Sequence, residues 1–162
     1  MKKNIIRKIR MAHRAHMSWI SKAAGLIEGM NITEESCPLH ATECVFGTWY
    51  YSEGQILKKF PEFKQIEKPH MNLHQAYMQI FKIISDTKEE VVDNRSFFKK
   101  LVGKKPAQKD NEQAIEQARK IFRVLQKQSD IVIACLHKLE DKVESLDETF
   151  FRKITRQRAI SR

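Results

Sequence analysis

At 162 residues, with 41% hydrophobic and 31% charged side chains, the chain has the size and composition of one helix-rich globular domain; disorder is excluded, and five Gly and four Pro are too few for a many-turned β fold. No apolar run is long enough to cross a bilayer, charges interrupt every N-terminal stretch that would serve as a signal sequence, and three cysteines make no disulfide framework, so a cytoplasmic protein is expected. The net charge of +10 is concentrated at the two ends, in Lys2, Lys3, Arg7, Lys8, Arg10 and Arg14 and again in Arg152, Lys153, Arg156, Arg158 and Arg162, which leaves the middle near neutral.

In chain order, a first helix is predicted from about Lys3 to Met30, because Ile5, Ile9, Ala12, His16, Trp19, Ala23, Leu26 and Met30 recur every three or four residues, with Gly29 and Asn31 as stop signals. Residues 32–43 have no periodicity and contain Pro38, so they read as a loop. A short second helix is expected to open at Thr42 as its N-cap and to carry Cys44 to Tyr51. Between Gly54 and Pro61 lies another short helical piece, QILKKF. A third helix is predicted from Pro69, a residue suited to a first helical turn, to about Val91, with Leu73, Tyr77, Ile80, Phe81 and Ile84 as its apolar stripe. Residues 92–109 read as a small helical turn, SFFKKL, and a Lys/Pro/Gly/Gln loop. From Asp110 one long helix is expected, its stripe of Ile115, Ala118, Phe122, Leu125, Val132, Leu136, Leu139, Val143, Leu146 and Phe150 interrupted only by Ser129. The economical architecture is all-α: an antiparallel four-helix bundle over residues 1–150, with a short second element, a long last helix whose far end projects as a coiled-coil arm, and a basic helical tail over 151–162.

Three short motifs carry the chemistry: His16-Met-Ser-Trp19, Cys44-Val-Phe-Gly-Thr-Trp49 and His70-Met-Asn-Leu-His74. His70 and His74 are four apart on a helix, so their imidazoles share one face and can chelate one ion. Zinc takes four N or S donors in a tetrahedron, and His16 and Cys44 supply the other two from facing elements. Amides at the start of the second helix and a nearby metal both favour the Cys44 thiolate, which is also the most oxidisable group of the set. Trp19, Phe46 and Trp49 are expected to wall the ion, and Gly47 to let another helix approach. Cys37-Pro-Leu-His40 with Cys44 is a competing local clip, on a poorly preorganised loop. His13 competes with His16 but lacks the following aromatic, and Cys135 and His137 read as structural.

The motifs resemble the chemoreceptor zinc-binding domain family, whose pattern is His-x-x-aromatic, then Cys-x-apolar-Gly-x-aromatic, then His-x-x-x-His. Here it spans roughly residues 5–146, through His16 and Trp19; Cys44, Phe46, Gly47 and Trp49; and His70 and His74. The resemblance implies a dimerising four-helix bundle that binds one zinc ion and responds to zinc availability or to oxidation of the Cys by hypochlorous acid. Such domains signal to chemotaxis or cyclic-di-GMP partners. The chain departs from the pattern in an extension between Ser85 and Asp110 and in its basic tail, and no methyl-accepting hairpin or cyclase sequence is present to name the output.

Other classes are weaker. A zinc hydrolase keeps an open coordination position and a general base, but Met71, Asn72 and Leu73 occupy the space where an HExxH motif carries its Glu. A di-iron bundle needs Glu-x-x-His repeats that the sequence lacks. A structural zinc module is the remaining alternative, its basic cap of Lys2, Lys3, Arg7, Lys8, Arg10, Arg152, Lys153, Arg156, Arg158 and Arg162 meeting nucleic acid, an anionic membrane or an acidic protein. No aromatic interleaving supports base recognition.

Overall fold

The structure, a computed structural model, describes the backbone of residues 1–93 and 107–153 and the side chains of residues 1–87 and 111–153. Its elements are α1 (Lys2–Ile27), α2 (Val45–Tyr50), a 3-10 helix (Glu53–Leu57), α3 (Pro61–Lys64), α4 (Glu67–Asp93) and α5 (Ala107–Ser145), followed by a helical stretch over 148–153. The described residues contain no strand, and the all-α bundle with a long C-terminal helix is borne out. The turn and loop expected over 92–109 fall mostly outside the described residues, their two ends belonging to α4 and α5.

Local chemistry sets the boundaries. α1 ends three residues before the expected Met30 because Gly29 adopts φ +89, a left-handed conformation that glycine reaches without steric cost. The turn is closed by Met30 N–H donating to the Gly25 carbonyl at 2.9 Å. Pro61 opens α3 at its first turn, where a missing N–H costs nothing. Of the QILKKF piece, the first three residues lie in the 3-10 helix Glu53–Leu57 and the last three form the turn before α3.

α5 departs most from expectation. Its stripe runs as predicted through Ala118, Leu125, Val132, Leu136, Leu139 and Val143, all buried. The helix then breaks at Leu146–Asp147 and restarts, which turns Phe151 into the core at 1% exposure and leaves Phe150 half-buried. Lys2 Nζ donates to the Glu144 and Leu146 carbonyls, satisfying acceptors that the helix end leaves open. The far end of α5 is therefore packed against the start of α1, and no coiled-coil arm projects there.

α5 is the element on which the others pack, against α4 and α1 above all. Its register against α1 is antiparallel, with Arg119 pairing Glu28 at 3.3 Å near one end and Arg10 pairing Glu140 and Glu144 near the other. The chain from Glu28 to Ile66 supplies the fourth, descending element of the bundle. Cys37 of this segment packs in an upper apolar cluster with Trp19, Leu26, Tyr77, Ile80 and Leu125. Phe46, Trp49, Tyr50 and Phe63 pack in a lower one with Ile9, Ile66, Val132, Leu136 and Phe151.

The two apolar clusters are separate, and what separates them is polar. On α1 the buried residue between Ala12 and Trp19 is His16; on α5, between Leu125 and Val132, it is Ser129; on α4, between Leu73 and Ile66 of the preceding turn, it is His70, with His74 following. These four are the buried polar residues among those described. On the descending segment Cys44 passes the same level.

Candidate metal centre

Cys44 is held by the start of α2. It is the N-cap itself, where Thr42 was expected: its backbone is extended (φ −68, ψ 159), and its sulfur accepts the Gly47 N–H at 3.2 Å. A thiol thus does the work usually given to a Ser or Asp oxygen. Gly47 makes this possible in a way the sequence did not reveal. A Cβ there would lie 1.7 Å from the Ala41 carbonyl oxygen, so the loop backbone, and not another helix, is what approaches. The Cys44 sulfur also lies 3.3 Å from His70 Nε2 and 3.5 Å from the Ala41 carbonyl.

His70 and His74 come from successive turns of α4, their ring centroids 4.7 Å apart. His74 Nδ1 is 3.0 Å from the Leu39 carbonyl. A carbonyl only accepts, so Nδ1 carries the hydrogen and Nε2 keeps its lone pair for a ligand. Donor atoms of Cys44, His70 and His74 all lie within 4.8 Å of one another, the one group of three or more potential metal donors so placed among the described residues.

His16 lines the same pocket, about 340 Å³ in volume, but stands outside that group of three. Its Nε2 is 3.0 Å from Ser129 Oγ, and both residues are buried. Of the expected wall, Trp19 packs on His74 at 4.8 Å between ring centroids and Phe46 on His70 at 4.8 Å, and both line the pocket. Trp49 lies one layer back in the lower cluster, against Phe46 and Phe63. The competing clip is not assembled, since Cys37 is sealed in the upper cluster and His40 is exposed. His13 faces away to meet His137, at 5.0 Å between centroids, and Cys135 is a core residue of the lower cluster.

Burial sets the protonation states. Desolvation, then the neighbouring His74 and His13, lowers His16 to about 4. Desolvation, then His74 and His16, lowers His70 to about 3. His74 is also lowered by desolvation, against the opposing pull of the Leu39 carbonyl. At neutral pH the three imidazoles are uncharged and hold lone pairs for a metal. The thiol runs against expectation. Burial raises Cys44, outweighing the amides of Gly47, Phe46 and its own backbone, so without a cation beside it the sulfur keeps its proton.

The donors fit zinc: a borderline-soft ion takes a thiolate and imidazoles, and His70 and His74 are buried. Two features escaped the sequence reading. Ser129 was visible as the lone polar residue in register on α5, but only the fold shows that it meets His16. The Leu39 carbonyl has no side-chain signature.

The family model of the chemoreceptor zinc-binding domain matches residues 16–81. The match starts at His16 and takes in Cys44, His70 and His74, so the resemblance read from the motifs is borne out, and zinc is the cofactor that the match and the Cys44–His70–His74 cluster both support. That model describes a zinc-binding domain of chemoreceptors, and its match covers 66 of the 162 residues. No curated protein and no solved structure matches the chain. No helix among the described residues is long and apolar enough to cross a membrane.

Proposed function

We propose that the chain is a zinc-dependent sensory module, in which one zinc ion is held by Cys44, His70, His74 and His16 and Cys44 is the redox-sensitive donor. One observation carries this reading: a thiol and two imidazoles from separate elements gather within 4.8 Å in a polar layer across an otherwise apolar core. Bound there, zinc supplies a charge that favours the Cys44 thiolate and ties the elements together. Hypochlorous acid would take two electrons from that sulfur, giving sulfenic acid and chloride and removing the donor. Because the same sulfur caps α2, its oxidation also releases the Gly47 N–H and loosens the start of that helix. The signal then passes to a partner in cytoplasmic chemotaxis or cyclic-di-GMP signalling, with the chain acting as a homodimer.

The test is metal analysis of gently purified protein beside Cys44→Ala. The wild type is expected to carry about one zinc per chain and the variant to bind at least tenfold more weakly. A wild type that arrives metal-free and fails to take up zinc would refute the assignment.

The second reading keeps the zinc as a permanent strut and gives the work to the basic end. In its favour, Lys3, Arg7, Arg10 and Arg14 of α1 line a shared groove of about 350 Å³, together with Ile6 and with Glu144 of α5. Against it, Lys2 and Arg10 are already engaged by α5 through the Glu144 and Leu146 carbonyls and the Glu140 carboxylate. Arg152 and Lys153 are exposed, while Arg156, Arg158 and Arg162 fall outside the described residues. Salt-sensitive retention on heparin or anionic vesicles, unaltered by chelation, would favour this reading over the sensor.

A further inference from the structure

We infer that Ser129 is the positioning residue that sets His16 as the fourth zinc donor and so ties the long last helix to the metal centre. The inference rests on the zinc-binding reading above and deepens it; Ser129 lies outside residues 16–81, so the family match assigns it nothing.

Ser129 occupies a stripe position on α5 whose neighbours Leu125, Val132, Leu136, Leu139 and Val143 are each at most 2% exposed, and it is itself 4% exposed. A buried hydroxyl among such neighbours is costly unless it is hydrogen-bonded, and an apolar residue would fill the position better. The hydrogen bond it makes is to His16 Nε2, at 3.0 Å. With Nε2 taken up by the hydroxyl, Nδ1 is the nitrogen left for a metal, and with zinc on Nδ1 the hydrogen sits on Nε2 and is donated to Ser129 Oγ. His74 is fixed the same way with the nitrogens exchanged, its Nδ1 spent on the Leu39 carbonyl. Two of the histidines thus have one nitrogen anchored and the other free, which is how metal-ligating imidazoles are oriented.

The anchor also has a direction. Cys44, His70 and His74 come from α4 and the segment before it, and three donors leave a zinc tetrahedron one short. The fourth sits on α1 and its anchor on α5, the helix that packs against both α1 and α4. Metal occupancy is therefore felt at the α1–α5 contact as well as at α4, and a shift of α5 at Ser129 withdraws His16 from the ion.

The experiment measures zinc affinity of the full chain by competition with a chromophoric chelator, for wild type, Ser129→Ala, Ser129→Thr, His16→Ala and the double variant Ser129→Ala/His16→Ala. The expected result is a loss of about tenfold or more for Ser129→Ala. Recovery toward wild type is expected for Ser129→Thr, which keeps the hydroxyl, and no further loss when Ser129→Ala is added to His16→Ala. Cobalt-loaded Ser129→Ala should also lose intensity in the visible bands that report a four-coordinate ion. A Ser129 that merely supports the core would lower the metal-free melting temperature and leave affinity and spectrum unchanged, which overturns the inference; additive losses in the double variant overturn it too. Ser129→Thr serves as the readable variant should Ser129→Ala fold poorly, since unaltered cobalt bands with weakened zinc binding would then count against positioning. Failure of the wild type to bind zinc sinks the parent reading instead, so the two failures are distinct.

Discussion

Cys44 does three jobs with one sulfur, and Gly47 is the residue that lets it. The sulfur caps α2 through the Gly47 N–H, faces His70 at 3.3 Å and belongs to the donor group. A methyl at position 47 would collide with the Ala41 carbonyl, which is backbone and cannot rotate aside. Gly47→Ala is therefore expected to cost at least about 2 kcal/mol of stability in the metal-free protein. It should weaken zinc binding as well, because relief requires the loop before Cys44 to move. A urea midpoint equal to wild type would show that this loop yields freely. The histidines make a separate prediction. His16 and His70 titrate at about 4 and about 3 when folded, against 6.5 when free. The unfolded chain thus binds more protons than the folded one as pH falls through 6.5, and stability must fall with it. Without metal, the protein should be most stable above pH 6.5 and lose a few kcal/mol on the way to pH 4. Urea titrations at several pH values check this, and His16→Gln should flatten the slope.

At the scale of elements, the long helices were legible and their ends were not. Apolar spacing is a property of the helix face, so α1, α4 and α5 could be read from Ile5 to Leu26, Leu73 to Ile84 and Ala118 to Val143. An end depends on what lies across from it. At the 146–147 break in α5, Lys2, more than a hundred residues earlier, donates to the Glu144 and Leu146 carbonyls, a contact that the neighbouring sequence does not announce. The site divides the same way. Cys44, His70 and His74 were legible because each has a distinctive side chain in a spaced motif, whereas the use of Ser129 and the Leu39 carbonyl is a fact of tertiary contact. The break also makes a sharp prediction, because it exchanges Phe150 for Phe151 as the core residue. Phe151→Ala should cost about 3–5 kcal/mol and Phe150→Ala distinctly less. An unbroken helix would give the opposite order in thermal or urea unfolding.

Across the whole molecule, the polar layer divides one core into two apolar clusters. α1 and α5 cross from one cluster to the other, and so does the descending segment between Cys37 and Phe46; α4 joins the upper cluster, with Ile66 just before it in the lower one. In the metal-free protein this level is held by a few hydrogen bonds, His16 to Ser129, His74 to Leu39 and Cys44 to Gly47. Coordination adds bonds that tie α1, α4 and the descending segment together, with α5 joined through the His16–Ser129 hydrogen bond, so the affinity for zinc is stability by linkage. Free zinc at a hundred times its dissociation constant should add about 2.7 kcal/mol. The gain should depend on the layer and not on either apolar cluster. Chelation is then expected to lower the melting temperature of the wild type by several degrees and to leave Cys44→Ala almost unmoved. Hydrogen exchange gives the matching spatial readout. Removing zinc should raise exchange in α2, around His16 and His70, and in α5 near Ser129, while amides deep in the two clusters, near Leu139 and near Ile80, change least. A uniform rise along all helices would mean that the metal stabilises the bundle as a whole, and that no layer transmits its loss to one element before the others.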